Sequence, residues 1–173
     1  MLRDIKNKIR DIPDFPKPGI LFKDITTALK DGACFGKIID AFYESLKDKK
    51  IDKIAAVESR GYLIGAPLAY KLGCGLVLLR KPGKLPAETI KESYGLEYGS
   101  DALEVHKDAI APDENILLID DLLATGGTVE AACKLIKRLN ANICAAAFMI
   151  ELEALNGKAR IEPYTEVISL LKY

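Results

Sequence analysis

Short, continuous apolar runs alternate along this chain with longer stretches in which apolar residues return every third or fourth position. Ile54-Ala55-Ala56-Val57, Leu76-Val77-Leu78-Leu79, Ile116–Ile119, Ile143–Ile150 and Val167–Leu171 are runs of the first kind. Their length and β-branched content predict strands buried on both faces. Residues 35–49 are of the second kind, with Phe35, Ile38, Ile39, Phe42, Tyr43 and Leu46 at helical spacing. Tyr62 to Leu72 also reads as a helix, with Pro67 in an early turn or at a kink, and so do residues 129–139 through Val129, Ala132, Cys133, Ile136 and Leu139. The chain opens on a predicted amphipathic helix to Asp11, with Leu2, Ile5 and Ile9 on one side, and Pro13, Pro16 and Pro18 then enforce an extended segment. Strands alternating with helices predict an α/β fold, a parallel twisted sheet flanked by helices. Such sheets bind ligands beyond the carboxyl ends of their strands, so the loops after Val57, Leu79 and Ile119 are the expected site walls.

Residues 81–104 break the pattern. The stretch is rich in charge, and Gly83, Gly95 and Gly99 are spread through it. Glu92 to Tyr98 and Leu103 to His106 could pair as a polar two-stranded flap. A long, weakly patterned insertion of this kind is uncommon in a compact domain unless it covers a site, which predicts a flexible lid. The alternative is a surface hairpin without a task.

The most informative stretch is Ile116-Leu117-Leu118-Ile119-Asp120-Asp121-Leu122-Leu123-Ala124-Thr125-Gly126-Gly127-Thr128. It reads as a buried strand, two acids, and a glycine turn that opens a helix. Backbone N–H groups converge at such a turn, and the helix dipole adds a partial charge of roughly +0.5. Together they form a phosphate site. Two carboxylates beside a phosphate repel it unless the ligand also brings hydroxyls or a divalent cation. No lysine follows Gly127, so the Walker A pattern is absent, and no Gly-x-Gly-x-x-Gly occurs. ATP hydrolysis and dinucleotide binding therefore lack support. An ordinary strand–loop–helix connection is the bland alternative.

Bulk properties narrow the setting. The 173 residues suit one domain with a sizeable core, spanning 1–173. The 25 acidic and 25 basic residues balance, so no basic excess points to nucleic acid. Cys34, Cys74, Cys133 and Cys144 form no Cys-x-x-Cys pair, which predicts reduced thiols and no zinc site. The N-terminal residues are charged throughout and no apolar run reaches the ~18 residues of a membrane span. A soluble cytoplasmic protein without a membrane partner is expected.

The acid pair with its Thr-Gly-Gly-Thr loop resembles the phosphoribosyl-pyrophosphate (PRPP) motif of the type I phosphoribosyltransferases. Asp-Asp-Leu-Leu-Ala-Thr-Gly-Gly-Thr is similar to the version found in the adenine-using branch. The resemblance extends to Phe15-Pro16-Lys17-Pro18-Gly19-Ile20-Leu21-Phe22-Lys23-Asp24-Ile25, to Glu58-Ser59-Arg60-Gly61, to Arg80-Lys81-Pro82-Gly83-Lys84-Leu85-Pro86 and to Leu96-Glu97-Tyr98-Gly99. It implies the type I phosphoribosyltransferase fold with a mobile hood or lid over 81–104 and an N-terminal base-binding segment over 1–30. Asp120 and Asp121 would bind the ribose hydroxyls, and Ala124, Thr125, Gly126, Gly127 and Thr128 the 5'-phosphate. Ser59, Arg60, Lys81 and Lys84 would take pyrophosphate, with Arg80 reaching across a homodimer interface. Leu21, Phe22, Lys23 and Leu122 would hold adenine, and Glu97 in the lid would be the general acid/base, with Tyr98 beside it.

The implied reaction converts adenine and PRPP to AMP and pyrophosphate, a step of purine salvage. Mg2+ is the implied cofactor, held through PRPP and water with no direct protein ligands, because Mg2+ keeps much of its hydration. Several readings stay open on the residues themselves. Phe22 reads equally as a core aromatic, Lys23 stands where many relatives carry arginine, and Tyr98 could be plain surface. His106, the only histidine, is assigned no role. The rivals are a phosphoribosyltransferase for hypoxanthine, xanthine or orotate, and a PRPP-binding regulator without catalysis.

Overall fold

The structure, a computed structural model, describes residues 1–96 and 99–173, and for residues 96, 99 and 100 the backbone alone. The chain divides into two compact units, Met1–Ser45 and Leu46–Tyr173.

In the first unit, helix α1 (Leu2–Lys8) leads into a hairpin of β1 (Arg10–Pro13) and β2 (Leu21–Asp24), followed by α2 (Thr26–Leu29) and α3 (Gly32–Leu46). The opening helix is shorter than its apolar spacing predicts, because residues from Arg10 onward pair with β2 instead. That ladder is tied by opposite charges directly across from one another. Arg10 pairs with Asp24 and Lys23 with Asp11, the latter at 2.7 Å. Cross-strand ion pairs of this kind stabilise a ladder that buries little apolar surface. The segment between the strands contains a cis Phe15–Pro16 bond.

The second unit is a five-stranded parallel sheet in the order β4-β3-β7-β8-β9. Its strands are β3 (Lys53–Val57), β4 (Gly75–Leu79), β7 (Asn115–Leu123), β8 (Asn142–Glu151) and β9 (Val167–Lys172). Helices α4 (Arg60–Leu72) and α5 (Gly127–Arg138) follow β3 and β7, and the short α6 (Gly157–Ile161) follows β8. Each expected strand is present. Ile54, Ala55, Ala56, Leu117, Leu118, Ala146 and Ala147 are fully buried, as a sheet covered on both faces requires. α4 lies close on this sheet because Gly65 has no side chain: a Cβ there would stand 2.9 Å from the Ala56 Cβ. Pro67 is accommodated inside α4.

Strands β5 (Thr89–Leu96) and β6 (Gly99–His106) pair antiparallel as a hairpin. It is better packed than its charged composition suggests. Leu103 and Val105 are fully buried, and with the partly buried Ile90 and Tyr94 they join the apolar cluster of the sheet and α5. Among the described residues no helix is long and apolar enough to cross a membrane.

Candidate functional site

Three of the sheet's loops converge on one cavity of about 350 Å³ at the carboxyl ends of β3 and β7. It is lined by Val57, Glu58, Ser59 and Arg60 from the turn after β3 and by Lys81 after β4. Asp120, Asp121, Leu122, Ala124, Thr125, Gly126, Gly127, Thr128 and Val129 line it from β7 and the start of α5, and Tyr94 from the hairpin. Two helices begin at its wall, α4 after Ser59 and α5 after Gly126. The first-turn amides of each lack an intrahelical acceptor, and both dipoles turn their positive ends toward the same space. Gly126 caps α5 with φ 83°, a left-handed conformation natural to glycine.

The two acids belong to the strand rather than to the turn after it. β7 continues through them to Leu123, because Asp120, Leu122 and Leu123 still pair with β8. Backbone pairing thus fixes both carboxyl groups on a rigid element. Asp121 is only 4% exposed, and its Oδ2 accepts a hydrogen bond from Arg60 Nε at 2.6 Å. Asp120 Oδ1 accepts from the Asp121 amide at 2.8 Å. Burial, and then the charge of Asp121, push the Asp120 carboxyl well above the usual carboxylate range. Asp120 is therefore the member of the pair driven toward the neutral acid. Gly61 explains how α4 comes so near: a Cβ there would fall 2.9 Å from the Ile119 carbonyl oxygen and 3.1 Å from Asp120 Oδ1.

The remaining cations are held by the protein's own acids. Lys81 Nζ donates to Tyr94 Oη at 3.0 Å and pairs with Asp101. Lys84 pairs with Glu58, whose Oε2 also accepts from Arg80 Nε at 3.3 Å and from the Lys81 amide at 2.8 Å. Burial works to raise the Glu58 pKa, but Lys84, the Lys81 amide and Arg80 outweigh it and hold the carboxyl below its usual range. The Glu58–Ser59 peptide bond is cis.

Of the residues expected at the site, Asp120, Asp121, Leu122, Ala124 to Thr128, Ser59, Arg60 and Lys81 line this one cavity. Arg80 and Lys84 do not line it, but they grip Glu58, which does. Leu21, Phe22 and Lys23 lie on the β1–β2 hairpin of the first unit. There Phe22 stacks edge-on against Phe15 with ring centroids 5.2 Å apart, and the Lys23 ammonium is engaged by Asp11. Glu97 and Tyr98 lie outside the described residues. Glu58 belongs to a segment that carries the resemblance but has no role assigned from the sequence, and neither Tyr94 nor Asp101 is a sequence candidate. Glu58 could have been, since it stands directly before Ser59, whereas nothing local marks Asp101.

The oxygen-rich lining offers carboxylates and hydroxyls and no imidazole or thiolate. Among the described residues no cluster of three or more His, Cys, Asp or Glu could by itself hold a metal ion. That donor set suits a hard cation brought in with a ligand and largely coordinated by ligand oxygens and water.

Comparison with known proteins agrees with this geometry. Residues 26–171 match the phosphoribosyl transferase domain family. An adenine phosphoribosyltransferase of Geotalea uraniireducens is 56% identical over 98% of this chain and 99% of its own. The crystal structure of adenine phosphoribosyltransferase from Thermoanaerobacter pseudethanolicus superposes with a TM-score of 0.97 at 51% identity, covering 100% of both chains. The Saccharomyces cerevisiae enzyme, complexed with an imino-altritol bisphosphate and adenine, gives a TM-score of 0.93 at 41% identity over 98% of each chain. With the family match spanning residues 26–171 and relatives matched end to end, the chain belongs to the phosphoribosyl transferase domain family, among the adenine phosphoribosyltransferases.

Proposed function

We propose that this protein transfers the 5-phosphoribosyl group from PRPP to adenine, forming AMP and pyrophosphate. One observation carries the proposal: two helix mouths, two acids and two cationic side chains open onto the same cavity. PRPP needs such an arrangement, because it joins a phosphate, a diol and a pyrophosphate in one molecule.

The amides of Ala124 to Thr128, with the Thr125 and Thr128 hydroxyls, take the 5'-phosphate. Asp120 and Asp121 accept hydrogen bonds from the ribose hydroxyls, and a charge-assisted bond to a carboxylate, as to Asp121 beside Arg60, is worth about 1.5–3 kcal/mol. Ser59, Arg60 and Lys81 receive pyrophosphate, and Arg60 can grip two oxygens at once through its planar fork. Lys84 and Arg80 join them once Glu58 releases them.

Positive charge builds at C1' of the ribose as the leaving group departs, in the manner of an oxocarbenium ion. The carboxylates beside the ribose favour that charge, and the cations favour the charge on the departing group. Such preorganised groups supply most of the rate gain. Leu21, Phe22, Lys23 and Leu122 contact adenine, and Glu97 takes the proton that the attacking purine nitrogen loses. Mg2+, when bound with PRPP, neutralises part of the pyrophosphate charge; no residue of the chain need ligate it directly.

The enzyme acts as a cytoplasmic homodimer. Leu63 and Tyr70 on α4 and Leu76 and Leu78 on the edge strand β4 are exposed, Tyr70 by 90%, and offer apolar surface for association. Incubation with PRPP, Mg2+ and an equimolar mixture of adenine, hypoxanthine, xanthine and orotate tests the reading. AMP should be the only nucleotide to accumulate. Another nucleotide would reassign the base, and tight PRPP binding without any product would leave a binding protein.

A further inference from the structure

We infer that Gly157, the first residue of α6, is a positioning residue for the 5'-phosphate loop, and that Arg160 secures the same contact. This inference rests on the assignment of residues 124–128 to the 5'-phosphate.

The loop leaves β7 at Leu123, whose carbonyl oxygen accepts a hydrogen bond from the Leu152 amide at 2.9 Å. The segment after β8 therefore runs alongside the loop from its first residue. Further on, the two backbones touch. A Cβ on Gly157 would stand 2.1 Å from the Ala124 carbonyl oxygen and 3.0 Å from both the Ala124 carbonyl carbon and the Gly126 nitrogen. The relation is mutual, since a Cβ on Gly126 would meet the Gly157 carbonyl oxygen at 2.8 Å. Gly157 is buried and its φ is not left-handed, so its glycine identity answers to this close approach rather than to a turn.

Arg160 continues the brace. Its Cβ lies 3.4 Å from where a Gly126 Cβ would be, and its Nη1 lies 3.6 Å from the corresponding point on Gly127. Its Nε pairs at 2.6 Å with Glu130 in the first turn of α5, and the Glu130 amide donates to the Gly126 carbonyl at 2.8 Å. The loop is thus backed by α6 through Gly157 and Arg160, while Tyr94 and Gly95 of the hairpin stand near Gly127. A methyl group at 157 would force residues 124–126 to move by about 1 Å to reach ordinary contact distance. Displacements of that size cost on the order of 100-fold when they fall on groups that position a substrate.

Neither Gly157 nor Arg160 lines the cavity, so both act through the loop. The test is inhibition of the full-length enzyme by ribose 5-phosphate and, separately, by pyrophosphate, in wild type, Gly157→Ala and Arg160→Gln. Gly157→Ala should weaken ribose 5-phosphate inhibition and raise the KM for PRPP at least tenfold, leaving pyrophosphate inhibition and the KM for adenine within twofold. Arg160→Gln, on a half-exposed side chain, should show the same selectivity at threefold or more. Equal weakening of both inhibitors, or none, overturns the inference. If Gly157→Ala does not fold, an unchanged ribose 5-phosphate inhibition in Arg160→Gln overturns it. Wild-type enzyme insensitive to ribose 5-phosphate would instead refute the underlying assignment of the loop.

Discussion

Replacing Asp121 by asparagine isolates the charge of the acid pair while keeping its shape. The side chain is nearly buried and pairs at 2.6 Å with Arg60, whose own side chain is 49% exposed. Water can re-solvate the guanidinium, so the stability loss lies between that of an exposed pair and that of a buried one, about 1–2 kcal/mol. A domain with roughly 5–15 kcal/mol of stability survives this. The functional loss is separate. A hydroxyl bonded to a carboxylate contributes about 1.5–3 kcal/mol and one bonded to a neutral amide about 0.5–1.5. The difference of about 1–1.5 kcal/mol per bond is roughly tenfold, and up to about 100-fold if both ribose hydroxyls depend on Asp121. Steady-state kinetics with adenine saturating should show kcat/KM for PRPP falling by that factor. Asp120→Asn should cost less, because its environment already favours the neutral acid and the Asn oxygen can still accept from the residue-121 amide. Removing a carboxylate also relieves repulsion toward an anionic ligand. Tighter PRPP binding in Asp121→Asn, or a larger loss in Asp120→Asn, would refute the diol assignment.

Other expected outcomes follow from individual contacts. Glu97→Gln should lower kcat by more than it changes PRPP affinity, and an unchanged kcat in single-turnover assays would remove Glu97 from the chemistry. Asp101→Asn should release Lys81 and strengthen product inhibition by pyrophosphate by about threefold to tenfold, on the order of 1 kcal/mol; weaker inhibition would count against Lys81 as a pyrophosphate ligand. Asp24 is held at a pKa of about 2, first by the bond from Thr26 and then by Arg10. A folded-state pKa below the unfolded value of about 3.9 adds stability above that pH and loses it as the pH falls toward 2. Asp24→Asn should therefore lower stability by about 1–2 kcal/mol at pH 7, discounted for the exposure of Arg10, with the gap to wild type closing near pH 2. Urea melts across that range would show it, and a gap independent of pH would refute the linkage.

The sheet was legible because its central strands are covered on both faces, so burial wrote itself into unbroken apolar runs such as Ile54–Val57 and Ile116–Ile119. The same signal misplaced the end of β7. The unbroken apolar run stops at Ile119, but the ladder with β8 continues through the acid pair to Leu123. The β1–β2 hairpin escaped notice for the opposite reason. Its strands are held by cross-strand charges, and a charged stretch flanked by prolines carries no period-2 signal. The Thr125–Thr128 loop could be recognised from residues adjacent in sequence. Gly157 could not, since its partner backbone at Ala124 is distant along the chain and a glycine after an irregular turn looks like any other. Lys81 was expected as a pyrophosphate ligand, but its present partner Asp101 sits on the far strand of a hairpin whose register no local pattern specifies.

The ion pairs Arg60–Asp121, Lys81–Asp101 and Lys84–Glu58 commit the cations at this cavity to the protein's own acids. An anion that draws on one of these cations must pull it from its carboxylate and leave that carboxylate stranded. A molecule that bears oxyanions at its ends and hydroxyls between them can satisfy the released bases and the abandoned acids together. Discrimination at this entrance therefore arises from barter: a guest able to compensate both sides of each broken pair is held more tightly than a bare oxyanion.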